Sequence, residues 1–244
     1  MGELILSPLR YERLLEGLSV TLQVLGLAFA LGIVLSLVFG VARLSERRWV
    51  RGIALVYVEF SRGISSIILL FFMAIAIPIL LGLEQRSLLV LGGVALGLNM
   101  GGYGAEIIRG AILSVPKGQT EASISLNLTD AQRLRYVILP QAMRVILPPM
   151  GNLTIEILKG TALVSLVGLA DLTLALRKLD VPQPGVERVP TMVLFANVLV
   201  IYFVVAQVIN GLFRLAERRT ERSYGTRAPI EPVPDGVETA GAGG

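Results

Sequence analysis

Four stretches of this chain, residues 17–42, 63–83, 87–105 and 189–213, contain no charged residue at all. A helix that crosses a bilayer needs roughly 20 apolar residues, and each of these runs is about that long. A fifth stretch, 145–170, is apolar except for Glu156 and Lys159. Hydrocarbon offers a backbone no water to bond with, so runs of this kind must satisfy their N–H and C=O groups internally, as helices do. The expected fold is an all-α membrane protein with about five transmembrane helices. The first run starts late and is long, so it reads as an uncleaved anchor and not as a removable signal segment.

The residues left over exclude several chemistries. Cysteine and histidine are both absent, which removes disulfides, Cys/His metal centres, thiol catalysis and a Ser-His triad; no metal site is expected. The 22 Lys and Arg against 18 Asp and Glu leave a net charge of +4. That charge sits in short segments between apolar runs, so it reads as a topology signal and no nucleic-acid partner is expected. With the N-terminus outside, fourteen basic residues fall on inner segments, among them Arg43, Arg47, Arg48, Arg51, Arg109 and Arg144, and six fall on outer ones (Arg10, Arg13, Arg86, Arg177, Lys178 and Arg188). The bias predicts the N-terminus outside and the C-terminus in the cytoplasm. A transmembrane domain over 1–215 is then followed by a tail, 216–244, that ends Gly-Ala-Gly-Gly, carries Pro229, Pro232 and Pro234, and is expected to be disordered.

Small residues recur every fourth position at Ala28, Gly32, Ser36 and Gly40, and again at Gly93, Gly97 and Gly101. Such stripes let helix backbones approach closely in lipid, either within one subunit or across a subunit seam. Pro78 removes a backbone donor late in the second run and is expected to kink it. Three segments share an acid followed three residues later by a base and a glycine: Glu59/Arg62, Glu106/Arg109 and Glu156/Lys159. The spacing places each acid and base on one helical face. A lone charge at mid-bilayer costs at least about 2.5–3.5 kcal/mol, so pairing is the expected arrangement. The first two pairs read as structural or interfacial. The third lies within a span beside Asn152, Thr154 and Thr161, and is either the lining of a solute path or an ion pair that locks the bundle.

The loop over about 113–140 carries its own instructions. Pro116 suits a helix's first turn, and a short helix is expected over about 118–126. Asn127 is a good residue to end it, because asparagine tolerates the left-handed conformation. Thr129 and Gln132 form a capping box that starts a second helix, and Pro140 ends or bends that helix. A short helix exposed in this way cannot be stable alone and needs a groove to lie in, unless it is an ordinary connector.

These residues resemble a known family. Glu121-Ala122-Ser123, then Asn127, then Val137-Ile138-Leu139-Pro140 is similar to the "EAA" loop of permease subunits of ATP-binding-cassette importers, whose pattern is E-A-A, three residues, G, nine residues, I-x-L-P. Ser123, Asn127 and Val137 depart from it mildly. Tyr103-x-x-Glu106-x-x-Arg109-Gly110, Pro116-Lys117-Gly118-Gln119, Leu139-Pro140-Gln141-Ala142-x-Arg144 and Lys159-Gly160-Thr161-Ala162-Leu163 resemble the polar amino-acid branch, and the resemblance covers about residues 14–215. Where that branch often has Arg-Gly-Thr-Pro-Leu, this chain has Arg62-Gly63-Ile64-Ser65-Ser66, which widens the expected solute from a polar amino acid to zwitterionic compatible solutes such as ectoine.

The resemblance implies a bacterial inner-membrane subunit that works with a second permease, identical or paralogous, with cytoplasmic ABC ATPase subunits, and with an external solute-binding protein. Gly118, Glu121, Ala122, Ser123, Asn127, Leu139 and Pro140 would couple to the ATPase, and Asn152, Glu156, Lys159 and Thr161 would line or gate the path. The chain has no G-x-x-x-x-G-K-[ST] phosphate loop, so no cofactor is expected on it and it is not expected to be an enzyme; ATP and Mg would sit on the partner. From the residues alone, an ion-coupled secondary transporter and a non-transporting scaffold remain open. Five spans without an inverted repeat argue against the first, and the polar fifth stretch argues against the second.

Overall fold

In the structure, a computed structural model that describes residues 6–82, 88–181 and 189–223, the ordered elements are helices. We number them α1 (Pro8–Ala42), α2 (Arg48–Gly63), α3 (Ser66–Leu81), α4 (Leu88–Leu113), α5 (Lys117–Ser125), α6 (Asp130–Val167), α7 (Leu172–Asp180) and α8 (Thr191–Ser223). Four of them, α1, α4, α6 and α8, are long and apolar enough to cross a membrane, and α2 with α3 makes up to a fifth span, bent by 102°. The all-α membrane class and the approximate span count therefore hold. Residues 216–223 are helical, so the helix passes the expected start of the tail; Arg86, Arg188 and the tail from 224 lie outside the described residues.

The small-residue stripes pack within the subunit. Ala28, Gly32, Ser36 and Gly40 are all buried on α1, and they face α4. Leu27, Leu31 and Leu35 of α1 lie over Gly93, Gly97 and Gly101, while Met100 and Ile108 of α4 lie over Gly32 and Gly40. A Cβ on Gly32 would stand 2.8 Å from Met100 Cγ. This reciprocal seating of large on small brings two backbones close without any hydrophobic drive between helices in lipid.

Proline shapes the ladder in two places by the same device. Pro78 has no N–H and its ring crowds the carbonyl four residues back. The preceding residues Phe72–Ala76 widen to i→i+5 bonding, with Ile77 N–H donating to Phe72 O. Ahead of Pro140, Leu134–Ile138 do likewise, with Leu139 N–H donating to Leu134 O. Of the two expected outcomes at Pro140, an end or a bend, the helix does not end there. The wider turn absorbs the missing donor, and the helix continues into the membrane span as one α6. From Thr161 to Val167 α6 tightens to i→i+3 bonding and stops at Gly168, whose φ is +91°.

At the end of the bundle opposite α5, α7 is seated on α1. Asp171 caps α7, accepting from Thr173 N–H at 3.1 Å and Leu174 N–H at 2.9 Å. The Leu172 N–H donates to Thr21 Oγ1 at 3.1 Å. Gly17 makes the approach possible, since a Cβ there would stand 2.8 Å from Asp171 O. On the same end Tyr11 donates to Asn197 Oδ1 at 2.8 Å, tying α1 to α8.

Candidate functional site

The elbow between α4 and α6 follows the chemistry of its residues closely. α5 closes with both hydrogen bonds of a Schellman turn: Leu128 N–H to Ser123 O at 3.1 Å and Asn127 N–H to Ile124 O at 2.8 Å. Asn127 carries φ +54°, the sole positive φ outside glycine among the described residues. Two residues on, Thr129 Oγ1 accepts from Gln132 N–H and Gln132 Oε1 accepts from Thr129 N–H at 2.9 Å, completing the capping box that starts α6. Pro116 sits just outside α5 as its cap, so the helix begins at Lys117. The Gln141 amide of α6 donates to Gln119 Oε1 at 3.2 Å, which holds the elbow to the span.

Of the elbow residues singled out in the sequence, Gly118, Glu121, Ala122 and Asn127 are exposed, and Leu139 and Pro140 are half-buried at the base. Ser123 is buried and donates to Thr120 O at 2.6 Å, so it faces the protein and not the groove-seeking side. Sequence reasoning missed the apolar surface here. Ile124, Leu126 and Tyr136 are exposed on the elbow at 54%, 74% and 63%, and the Arg135 guanidinium lies 5.7 Å from the Tyr136 ring centroid.

A second feature gathers residues that are far apart in sequence. An open cleft of about 340 Å³ is lined by Arg62, Tyr103, Glu106, Asn152 and Glu156, with Pro149 among its apolar walls. Its floor is a helix break. The last carbonyls of α2 have no partner within their own helix, and α4 supplies them: Asn99 Nδ2 donates to Ser61 O at 2.9 Å and the Tyr103 hydroxyl to Arg62 O at 3.3 Å. The Arg62 guanidinium lies over the Tyr103 ring, 5.6 Å from its centroid. Asn152 and Glu156 reach the cleft from one exposed face of α6, one turn apart. Tyr103 could have been found from its place one turn before Glu106 on the same face.

The three expected charge pairs meet different fates. Glu106 and Arg109 pair as expected, with Nη2 2.8 Å and Nε 3.0 Å from Oε2. Glu59 and Arg62 do not pair: Glu59 lies 3.9 Å from Arg43, and Arg62 turns to the Tyr103 ring. Arg43 also stands 3.1 Å from Glu106, so it bridges the carboxylates of α2 and α4. Glu156 and Lys159 form no ion pair among the described residues; both are exposed, which removes the reading of a buried pair that locks the bundle. Lys159 is outside the cleft lining. Thr161 is fully buried, donates to Leu158 O at 2.6 Å and is outside this cleft's lining. Among the described residues no cluster of acids could hold a metal ion.

Comparison with known proteins agrees with this architecture. The chain is 40% identical over 216 residues (87% of this chain, 89% of the other) to the "Probable amino-acid ABC transporter permease protein y4tF" of Sinorhizobium fredii. It is 34% identical over 210 residues, 84% of this chain and 92% of the relative, to the glutamine transport system permease protein GlnP of Escherichia coli K12. A crystal structure of an amino acid ABC transporter superposes with a TM-score of 0.73 at 34% identity, over 86% of this chain and 94% of that one. The MetNI methionine ABC transporter, at 22% identity, shares the fold with a TM-score of 0.72 over 89% of this chain and 100% of that one. Residues 29–222 match the family described as binding-protein-dependent transport system inner membrane component, and with the elbow and the spans in place the chain belongs to that family.

Proposed function

We propose that this chain is the membrane-spanning permease subunit of an ABC importer that moves a polar amino acid, or a related zwitterionic solute, into the cell. The observation that carries the proposal is the elbow. A nine-residue helix ends in a left-handed asparagine and a capping box, and projects between two membrane helices with its apolar side chains uncovered. In this reading the elbow lies in the cytoplasm with the C-terminus, and the N-terminus lies outside. Exposed Ile124, Leu126 and Tyr136, with Glu121 and Ala122 beside them, enter a cleft of a separate ATPase subunit that binds ATP and Mg. The motor's closure then moves α5, and through the Gln119–Gln141 bond and the unbroken α6, the span that carries Asn152 and Glu156. A second permease, identical or paralogous, closes the pathway, and an external binding protein delivers the solute. Switching between two rigid arrangements is biased by nucleotide and by the loaded binding protein. The chain itself is a transport subunit and holds no hydrolytic site.

The amino-acid class draws on the names of the relatives and on the mixed charge of the cleft. Arg62 suits a carboxylate, and Glu156, which has no ion pair among the described residues, suits an ammonium group, so the cleft offers a zwitterion both signs at once. The test is uptake and ATPase activity in proteoliposomes holding the full complex. Ala122→Trp is expected to abolish coupled uptake, and Glu156→Gln to reduce uptake at least about tenfold, as loss of a charge-assisted bond of roughly 1.5–3 kcal/mol implies. Normal uptake with Ala122→Trp would refute the coupling role. Competition by ectoine but not by amino acids would move the solute to the compatible-solute class.

A further inference from the structure

Among the described helices, α2 is exposed along most of its length and too short to span without α3. It carries three faces. Ala54, Val58 and Ser61 are buried, and the α4 contacts place that face side-on across the middle of α4: the Tyr57 hydroxyl donates to Leu98 O at 2.9 Å, and Ser61 and Arg62 meet Asn99 and Tyr103. Trp49, Ile53, Val56 and Phe60 fall within one narrow sector of the helix and are all exposed, at 64%, 60%, 70% and 58%. Arg48, Arg51, Glu59 and Arg62 lie on a second exposed side, around the partly exposed Leu55, with Arg47 as the preceding cap residue. The 102° bend sets α2 nearly at right angles to α3, whose residues 66–81 lie within the charge-free run 63–83. The charged side is the one turned toward α5, since it holds Glu59 near Arg43 at the end of α1, and Arg62 beside Glu106.

A helix with this division, apolar on one exposed side and basic on the other, lies in a membrane interface with its apolar face among the acyl chains and its cations at headgroup level. Between Leu44 and Val58 the only acid is Glu46, against Arg47, Arg48 and Arg51. No ion pair joins any of those three arginines to an acid among the described residues. We propose that α2 is an in-plane anchor that binds anionic phospholipid: its arginines hold the phosphate and its Trp49–Phe60 face lies in the hydrocarbon. The inner side of the membrane enters only through the orientation proposed above, on which this inference rests for the identity of the leaflet. Bound in this way, anionic lipid would steady the cleft, because the same helix carries Arg62 of its lining.

The chain supplies its own reporter, because Trp49 is the single tryptophan and stands on the exposed apolar face. The full chain is reconstituted into phosphatidylcholine vesicles that contain brominated phosphatidylcholine or brominated phosphatidylglycerol at equal mole fraction, and Trp49 emission is recorded. Each basic residue near an anionic surface contributes about 1 kcal/mol, so the anionic quencher is expected to be at least about threefold more effective at low salt. The preference is expected to shrink as salt is raised, and to vanish in the variant with Arg47→Gln, Arg48→Gln and Arg51→Gln. Equal quenching by both lipids in the unaltered chain would overturn the proposal. So would the absence of quenching by either, which would mean that protein, such as a second copy, covers this face. The salt series on the unaltered chain decides the matter if the triple variant does not fold. The readout involves no transport and no sidedness, so failed uptake would count against the importer reading and leave this result standing.

Discussion

The Asn99 side-chain amide of α4 donates to the Ser61 carbonyl of α2 at 2.9 Å, joining residues 38 apart in sequence. That single bond shows how the chain satisfies the backbone at the break between α2 and α3. A helix end leaves its last carbonyls without partners in the helix, and Asn99 with Tyr103, one turn apart on α4, satisfies two of those near the end of α2. Asn99→Leu keeps the volume and removes the donor. It is expected to destabilise the chain by about 1–3 kcal/mol, the cost of a buried acceptor left unmade. Tyr103→Phe removes a longer, more exposed bond at 3.3 Å and is expected to cost less, about 0.5–1 kcal/mol. Thermal unfolding in detergent ranks the two variants. The reverse order would mean that the break is held chiefly at Arg62.

Asp171 makes the opposite end of the bundle sensitive to acid. Its side chain is fully buried while it caps α7, and burial pushes its carboxyl above the ordinary carboxylate range, against the smaller lowering effect of the Leu174 and Thr173 N–H groups. A carboxyl whose folded-state affinity for a proton exceeds the unfolded one stabilises the fold most at low pH. That contribution is lost as pH rises through the raised value. Stability is therefore expected to rise as pH falls from neutral toward the ordinary aspartate value of about 3.9. Asp171→Asn keeps one acceptor for the cap and is expected to flatten this trend. Asp171→Ala loses the cap as well, at about 1 kcal/mol. Unfolding followed across pH tests it: parallel curves for the parent chain and Asp171→Asn would assign the pH response to another group.

What the sequence made legible was whatever local chemistry decides. Asn127 in a left-handed turn, the Thr129–Gln132 box and the close α1–α4 seam all follow from short-range rules or from spacing, and all are present. What it concealed was tertiary competition. Glu59 and Arg62 satisfy the i, i+3 rule as well as Glu106 and Arg109 do, yet Arg43 and the Tyr103 ring capture them, because partners from other helices were invisible in the spacing. α2 itself was hidden by its charges. A search for charge-free runs passes over a helix in which charged residues interrupt the apolar ones. The cleft was half legible: Asn152, Glu156, Arg62 and Glu106 were all singled out, but only the 102° bend brings them to one place.

The left-handed residue of the elbow yields the sharpest test of how force would pass through the chain. Asn127 has φ +54°, and its N–H and that of Leu128 close α5 onto Ile124 and Ser123. Glycine adopts that conformation without cost, so Asn127→Gly is expected to leave uptake within about twofold of the parent, since glycine is the default residue there. Valine resists positive φ because its branched Cβ meets the backbone, and a strained residue of this kind costs about 1–3 kcal/mol. Asn127→Val is therefore expected to open the Schellman turn, change the angle between α5 and α6, and cut coupled uptake by about tenfold or more while the spans stay folded. Uptake measured beside stimulated ATPase activity, with thermal unfolding as the control for the bundle, separates a damaged elbow from a damaged protein. Equal transport by the glycine and valine variants would show that the angle at Asn127 transmits nothing.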